Sequence, residues 1–598
     1  MKSLIAPLAL FSTAVLATAH AAAPDLASSA SAFVRSQAKS PVRWETWSPE
    51  ALARAKVENK PVYVFVGSFL SELSRATCEQ SFANADLAAY LNQQFICVLV
   101  DGEERPDVAA CARLYLQTVK QAAGWPAHLW LTPELQPYEG ASYLPPSEEW
   151  GRPSLSMVAH QAGNAWAADP RACRGHASEA VAMMSQRASE ARPDLSAAAL
   201  SAKLAQAAAA WRATADARYG GFGTAPKSPE PELLRFLLHG SPADRDLALT
   251  TLRALVNGAV RDPLDGGFFG RATDAAWRIP YLQKTLGDQA RLALAFLDAA
   301  RVSGDAAFAR AARGSLNYAL KILARPDGGF AAAEDATRGD LAATYAWTAA
   351  DIDAALGADA AAFTAAYGVQ PGGNVAADED LTGVYRGKNL LYRAAPPGDA
   401  AAEARLAADA AKLRTIREQR AAPALDDRAT AGAHGLILAE LARAGAQLDD
   451  QAYLAAAARA FAAIKSQFVI SADGDLRRLR DAAAPAGPGD YAALALGCRE
   501  FAAAAKNTDA DALADRLLAR ANSLFFDAGR GRYLAAPAAL PAGLFVRAPA
   551  AGDPLAAESL ALLAGAPADQ AAAIKRALAD QLTEGATPAG DLLLALQK

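Results

Sequence analysis

The first part of the chain carries short apolar runs separated by stretches with helical periodicity. Three runs, at 61–67, 95–101 and 127–132, are almost continuously apolar and rich in β-branched and aromatic residues, which is typical of buried strands. A helical stretch from Pro49 to Glu58 leads into the first run, and others separate the later ones. This order predicts an α/β domain.

From Leu195 onward the pattern changes to long alanine- and leucine-rich amphipathic stretches, which predict helices. Glycine-plus-aromatic turns, such as Asp265-Gly-Gly-Phe-Phe-Gly270, separate several of them. Two helices per unit at a spacing of roughly 45–60 residues indicate a helical-hairpin repeat, and about a dozen helices favour a closed toroid over an open solenoid. The predicted helices lie at 196–214, 230–239, 243–258, 281–303, 306–324, 349–366, 399–419, 430–444, 450–468, 490–505, 508–525, 554–564 and 567–582.

The turn after the first predicted strand reads Ser71-Glu72-Leu73-Ser74. The strand and helix order matches a thioredoxin-like fold, in which a redox dithiol lies where the first helix begins, because a helix N-terminus stabilises a thiolate. A serine hydroxyl does not ionise near neutral pH and cannot form a disulfide. We therefore predict a degenerate redox turn at Ser71 and Ser74.

Several motifs recur in order along most of the chain. These segments resemble the spermatogenesis-associated thioredoxin-domain family, which implies a thioredoxin-like domain fused to an (α/α)6 toroid of the six-hairpin glycosidase type, akin to sugar epimerases. Family members usually carry Cys-His-Trp-Cys-His at the turn, and the resemblance implies that Ser71 and Ser74 replace the two cysteines. The matching segments are Ser40-Pro-Val-Arg-Trp-Glu-Thr-Trp47, Val100-Asp-Gly-Glu-Glu-Arg-Pro-Asp107, Gly124-Trp-Pro126, Gly221-Phe-Gly-Thr-Ala-Pro-Lys227 and Gly387-Lys-Asn389.

Two toroid segments depart from the family pattern. The family usually has His-Phe-Glu-Lys where this chain has Tyr281-Leu-Gln283-Lys284, and Trp-Asn where it has Ala433-His434. Tyrosine for histidine and glutamine for glutamate remove groups that titrate in the useful range. A cleft of the family type would therefore have lost its most plausible proton-transfer groups here.

Acidic residues in the loops of the second half are the remaining catalytic candidates. Sugar hydrolysis needs two carboxyl groups ~5–9.5 Å apart, and epimerisation needs a base and an acid. Acidic residues before helices are, however, more often caps or solvated turns. The candidates are Glu334, Asp335, Asp426 and Asp427, with Asp262 and Asp265 as further loop carboxylates and Trp277, Tyr345 and Trp347 as candidates for stacking on a sugar ring.

Trp125-Pro126 marks a second site in the N-terminal domain. In thioredoxin-like folds the proline facing the dithiol turn is typically cis, and the backbone beside it pairs with an extended peptide. Such an edge binds peptide by strand addition without thiols. The alternative is a purely structural turn.

The composition and charge of the chain indicate which classes of partner are not expected. The chain has 598 residues, 52% hydrophobic and 21% charged residues, and a net charge of −5 with both signs interspersed. We expect neither nucleic acid nor membrane insertion, because basic residues are not clustered and no stretch is long enough to span a bilayer.

The N-terminus predicts a signal peptide over 1–21, cleaved near Ala21, and a periplasmic protein, because Met1-Lys2 is followed by an apolar run and by Ala19-His20-Ala21. The predicted domains are thioredoxin-like at 22–167, a linker with one helical stretch at 168–195, and the toroid at 196–598.

Cysteines, histidines and glycines offer no cofactor motif. The five cysteines include no Cys-x-x-Cys pair, and no histidine pair has ligand spacing, so neither a metal nor another cofactor is expected. Three hypotheses remain open. The first is a non-redox binding protein or pseudoenzyme for a glycan or peptide, the second is a carbohydrate isomerase or hydrolase, and the third is a thiol enzyme that uses Cys78 alone.

Overall fold

The computed structural model describes residues 25–537 apart from 123, 150, 190–195, 338–340, 381–382, 396–397 and 528–531. The N-terminal domain contains a five-stranded sheet of order β1-β3-β2-β4-β5, with parallel β1, β3 and β2 and antiparallel β4 and β5. Its strands are β1 (Trp44–Thr46), β2 (Val62–Gly67), β3 (Ile96–Asp101), β4 (Ala127–Leu131) and β5 (Pro137–Ala141). Its helices are α1 (Ala32–Ser36), α2 (Pro49–Glu58), α3 (Glu72–Ala76), α4 (Ala85–Gln94), α5 (Pro106–Val119), α6 (Leu155–Ala168) and α7 (Pro170–Ser189).

Helices cover both faces of this sheet, which explains why the sequence of its central strands is continuously apolar. Every residue of β2, β3 and β4 is buried. Alternate side chains pack against α2, α5 and α7 on one face and against α1, α4 and α6 on the other. The predicted thioredoxin-like arrangement is confirmed.

Helix α7 occupies most of the segment that we predicted as a linker. Its residues Ala180, Met184 and Ala188 are buried in the same core as α5 and the sheet. They recur every four residues, so one face of the helix is apolar. Residues 170–189 therefore complete the N-terminal domain, and the linker prediction for 168–195 is corrected to this extent.

The second half of the chain consists of helical hairpins, and the predicted class of helical toroid is confirmed. The inner helices α9, α11, α17 and α19 contact one another in this order, and each packs against the outer helix that follows it. Most helix bounds agree with the sequence prediction within one or two residues, whereas the helices predicted at 554–564 and 567–582 lie outside the described residues. The helices are α8 (Ala197–Ala213), α9 (Pro231–Leu238), α10 (Pro242–Asn257), α11 (Leu286–Ser303), α12 (Ala306–Tyr318), α13 (Leu341–Tyr345), α14 (Ala349–Leu356), α15 (Ala360–Tyr367), α16 (Ala400–Arg417), α17 (Ala431–Gln447), α18 (Gln451–Gln467), α19 (Pro488–Ala505) and α20 (Thr508–Phe525).

The inner helices are buried on nearly every side, which small residues make possible. A Cβ atom at Gly435 of α17 would lie 2.3 Å from the backbone of Ala493 in α19. Only glycine permits this approach of two helix backbones. The high alanine content is thus a packing requirement of the inner ring as well as a helix-forming feature.

A small sheet of three strands lies at one end of the hairpins and was not predicted. The predicted helix 281–303 begins only at Leu286, where Thr285 caps it by accepting a hydrogen bond from the Asp288 amide. The three strands, called here the mouth sheet, are β6 (Gln283–Thr285), β7 (Ala333–Asp335) and β8 (Ala424–Asp426). Further short strands are β9 (Arg477–Leu479), β10 (Ala482–Pro485), β11 (Phe526–Asp527) and β12 (Arg532–Tyr533).

Candidate functional site

The degenerate redox turn lies at a helix start, as predicted. Ser71 is the N-cap of α3, and its hydroxyl accepts a hydrogen bond of 3.1 Å from the Ser74 amide. The Ser74 hydroxyl is buried and accepts from the Ser68 amide at 3.3 Å. Both hydroxyls are therefore used in building the turn itself.

Pro126 lies level with this turn, and the Trp125–Pro126 peptide bond is cis. Val66 of β2 pairs with Ala127 of β4, so the proline is one residue beyond the pairing, next to Gly67. A Cβ atom placed on Gly67 would lie 3.0 Å from the Ser74 hydroxyl oxygen, which brings the end of β2 and the turn together.

The backbone ahead of Pro126 is available for pairing. Within the described part of the chain, no hydrogen bond involves the backbone of Gly124 or Trp125. Gly124 is exposed, Trp125 is half-buried, and the Arg113 guanidinium lies 5.8 Å from the centre of the Trp125 ring. The predicted peptide edge therefore has free donors and acceptors and an anchored aromatic side chain.

The mouth sheet divides the catalytic candidates between its two faces. Lys284 pairs with Glu334, whereas Gln283 pairs with Asp335. Because paired residues of antiparallel strands share a face and successive residues alternate, Glu334 points to one side and Asp335 to the other. These neighbouring carboxylates cannot act together across one bond of a substrate.

One face of the mouth sheet covers a buried charge cluster, defined by Asp262, Asp265, Lys284 and Arg417. Lys284 Nζ lies 2.8 Å from Asp262 Oδ2 and 3.2 Å from Asp265 Oδ1. Arg417 donates to both carboxylates at 2.6 Å. Two anions thus meet two cations, and the cluster is neutral within itself.

The pKa values of the two aspartates in the charge cluster are shifted in opposite directions. Burial alone would raise the pKa of Asp262, but Arg417 and Lys284 outweigh burial and hold this pKa well below its usual value. Burial and the charge of Asp262 raise the pKa of Asp265. Such a division is found in acid–base pairs, yet this pair is enclosed.

Glu334 completes this enclosed side. Its carboxylate accepts hydrogen bonds from the hydroxyls of Tyr318, at 3.1 Å, and Tyr345. The cavity beside Tyr345, Asp262 and Arg417 measures about 20 Å³, which is enough for one water molecule. No sugar ring fits this space in the present conformation.

The opposite face of the mouth sheet carries Asp335 and Asp426, which are fully buried. Arg428 Nε donates to the two carboxylate oxygens of Asp426 at 2.8 and 3.0 Å, and Arg428 Nη1 donates to Asp101 Oδ2 at 2.5 Å. Asp101 ends strand β3 of the thioredoxin-like domain. The fourth candidate, Asp427, is half exposed and pairs with Arg35 at 3.0 Å.

The degenerate redox turn itself docks on this face of the mouth sheet. Arg75, which follows Ser74, donates to the Thr337 hydroxyl at 3.1 Å and lies 4.0 Å from Asp335. Gln283 Nε2 donates to the Leu70 carbonyl at 3.0 Å. Two of the positions at which this chain departs from the family pattern, the turn and Gln283, are therefore parts of one contact between the domains.

The predicted stacking residues are used for packing. Trp277 and Trp347 are each 1% exposed. Trp277 Nε1 donates to the Tyr219 carbonyl at 3.1 Å, and the Arg420 guanidinium lies 3.8 Å from the centre of the Trp347 ring. Tyr345 is buried between Lys284 and Arg417. These three residues do not offer a face to a ligand in this structure, and their predicted role is corrected accordingly.

His434 and the cysteines are also structural. His434 Nε2 accepts from the Phe330 amide at 2.9 Å, its Nδ1 lies 2.8 Å from the Thr430 carbonyl, and burial lowers its pKa to about 4. All five cysteines are buried thiols. Cys78 packs among the aromatic residues on one face of the N-terminal sheet, which does not favour the hypothesis of a thiol enzyme.

Four residues of this region were not predicted as site residues: Tyr318, Arg417, Arg428 and Asp101. No local motif marks the first three. Arg417 and Arg428 bind carboxylates that are far away in the chain, Asp262 and Asp101, and Tyr318 reaches Glu334 from a neighbouring helix. Asp101 was visible as the polar end of an apolar strand.

The described residues include no group of His, Cys, Asp and Glu arranged to hold a metal ion.

Comparison with known proteins identifies the family to which this chain belongs. A family model described as a protein of unknown function, DUF255, matches residues 23–185. The chain is 31% identical over 572 residues to spermatogenesis-associated protein 20 of Mus musculus, with 86% of this chain and 71% of that protein covered. The chain belongs to the spermatogenesis-associated protein 20 family. The Homo sapiens member is 30% identical, with 86% of this chain and 72% of that protein covered.

Among solved structures, the chain is similar to cellobiose 2-epimerase from Spirochaeta thermophila DSM 6192. The two are 15% identical, with a TM-score of 0.42 and coverage of 66% of this chain and 89% of that chain. This likeness carries no conclusion about activity.

The family assignment overturns one prediction. The expected periplasmic location is wrong, because the relatives named spermatogenesis-associated protein 20 belong to mammals, whose cells have no periplasm. The predicted signal peptide lies outside the described residues. None of the described helices is both long and apolar enough to cross a membrane.

Proposed function

We propose that this protein is a binding protein without thiol–disulfide exchange activity, and that its ligand is an extended peptide held at the backbone of Gly124 and Trp125. The observation that supports this most strongly is the pair of serine hydroxyls at the start of α3, opposite a cis-proline whose preceding backbone is unpaired. Main-chain hydrogen bonds supply the affinity in strand addition, and no thiol is needed.

The contact with the mouth sheet favours a structural role for the other residues of the degenerate redox turn. Gln283 and Arg75 join the turn to the toroid, so the toroid contributes to holding the turn beside the peptide edge. A glycan ligand would need exposed aromatic faces, and those of Trp277 and Trp347 are buried. The charge cluster similarly lacks space for the substrate of a carbohydrate isomerase or hydrolase.

The experiment is a binding titration of the full chain with carboxymethylated α-lactalbumin, a permanently unfolded polypeptide without free thiols. Binding is expected, and Trp125→Ala should weaken it about tenfold, because an aromatic anchor is lost. Met157→Ala is the control, since this exposed side chain lies on α6. Equal binding by both variants, or no binding by the wild type, would contradict the proposal.

A parallel assay measures redox activity. Insulin reduction in the presence of dithiothreitol should proceed at the rate of the uncatalysed reaction with the wild type. Turnover that Cys78→Ser abolishes would establish the thiol-enzyme hypothesis instead. A rise in Tm with cellobiose that Asp427→Asn removes would support the carbohydrate alternative.

A further inference from the structure

The N-terminal domain contains a second cavity, away from the contact with the toroid. It measures about 650 Å³, within the range of small-molecule sites. It lies at β1, the edge strand of the sheet, between α2 and the junction of α4 and β3. Trp44, Phe95 and Cys97 form its apolar wall.

Three cations line this cavity: Arg43, Arg54 and Lys60. The Lys60 ammonium donates to the Asn92 carbonyl at 3.1 Å, and burial lowers the pKa of Lys60. Cys97 and Glu58 oppose this shift, whereas the smaller effects of the Arg54 and Arg43 charges add to it. These cations are therefore close enough to repel one another. An anion between them would relieve that repulsion.

The carboxylates in the lining are already engaged. Glu45 and Glu58 both bind Arg54, the latter at 3.3 Å, and Asp25 accepts from the Ala27 amide. By contrast, the Arg43 guanidinium has neither an ion-pair nor a hydrogen-bond partner among the described residues, although its amide donates to the Asn92 side chain. Arg43 and Lys60 thus make no ion pair among the described residues, although the charge of Glu58 acts on Lys60.

We propose that this cavity binds a small organic oxyanion, a carboxylate or a phosphate monoester. Its charged group is held by Arg43 and Lys60, and its apolar body lies against Trp44 and Phe95. Charge-assisted hydrogen bonds to Arg and Lys favour such groups. The site is separate from the peptide edge at Trp125, so the two proposals can fail independently.

The test is isothermal titration calorimetry of the full chain with phenyl phosphate, benzoate and neutral benzyl alcohol. At least one anion is expected to bind with a Kd below about 1 mM, and the tighter of the two identifies the preferred head group. Benzyl alcohol should bind at least about tenfold more weakly, since it lacks the charge.

Variants locate the site. Arg43→Gln and Lys60→Met should each weaken the anion about tenfold. Arg43 is exposed, so its replacement leaves the core untouched. Lys56→Gln, on an exposed position of α2 outside the cavity, should bind as the wild type does. Binding of neither anion at roughly millimolar concentration, equal binding of benzyl alcohol, or unchanged binding by Arg43→Gln would each overturn the proposal.

Discussion

Arg428 is predicted to be the residue on which the contact between the two domains depends most. Its guanidinium is 3% exposed and bridges Asp101 and Asp426, whose side chains are both 0% exposed. Arg428→Met keeps a long side chain but leaves both carboxylates without their cation. Removal of one partner from a buried ion pair costs roughly 3–5 kcal/mol, and the presence of two orphaned carboxylates places the expected loss toward the upper end.

Equilibrium urea unfolding measures this loss. The matched control is Asp427→Asn, which removes the neighbouring contact between Asp427 and Arg35. Those side chains are 53% and 33% exposed, so the control should lose less than about 1 kcal/mol. Adding Asp101→Asn to Arg428→Met removes one orphaned charge and should recover part of the loss. If Arg428→Met lost no more free energy of unfolding than Asp427→Asn, the role assigned to this buried bridge would be refuted.

Three further predictions concern buried ionisable groups. Burial and the nearby Asp101 raise the pKa of Glu104 from 4.5 to about 7. The free energy of unfolding should therefore fall by about 3 kcal/mol as the pH rises through this range. Glu104→Gln should flatten that part of the plot of stability against pH, and an unchanged slope would contradict the assignment. Burial lowers the pKa of His434 from 6.5 to about 4. The free energy of unfolding should therefore fall by about 3 kcal/mol as the pH drops from 6.5 to 4. His434→Gln should remove this loss of stability at acid pH, and measurement of Tm against pH tests it. Lys284→Met leaves Asp262 and Asp265 with Arg417 alone and should cost roughly 3–5 kcal/mol in urea unfolding. Lys321→Met, which breaks an ion pair with Glu418 that is exposed on both sides, should cost much less.

The architecture was predictable wherever one physical requirement extends over many residues. Strands β2, β3 and β4 are buried on both faces, so their apolar character is continuous and visible in the sequence. The hairpin helices repeat an apolar stripe over several turns. The turn at Ser71 was predictable for a different reason, since the chemistry of a dithiol cannot be performed by serine.

The arrangement of the toroid mouth was not predictable in the same way. Strands β6, β7 and β8 contain three residues each, too few to show a period of two. The cap at Thr285 and Asp288 was a readable sign that the helix starts there, and it would have separated Lys284 from the helix. Arg417 and Asp262 are 155 residues apart in the chain, and Arg428 and Asp101 are 327 apart, so only the fold brings them together.

The difference between neighbouring candidates also came from the fold. Glu334 and Asp335 are adjacent in sequence and equally acidic. The pleat of β7 sends one into the charge cluster and the other toward the thioredoxin-like domain. A pair that the sequence suggests as an acid and a base is thereby divided between two environments.

The most direct measurement concerns Ser71 and Ser74, because the account rests on a thioredoxin-type turn that has kept its geometry and lost its thiols. In Ser71→Cys/Ser74→Cys, mild oxidation should produce one disulfide, and thiol titration of the denatured protein should then count the five native thiols and two more only after reduction. The single variant Ser71→Cys controls for pairing with a native cysteine. Two new thiols that stay titratable after oxidation would contradict the claim that these serines occupy the positions of a redox pair.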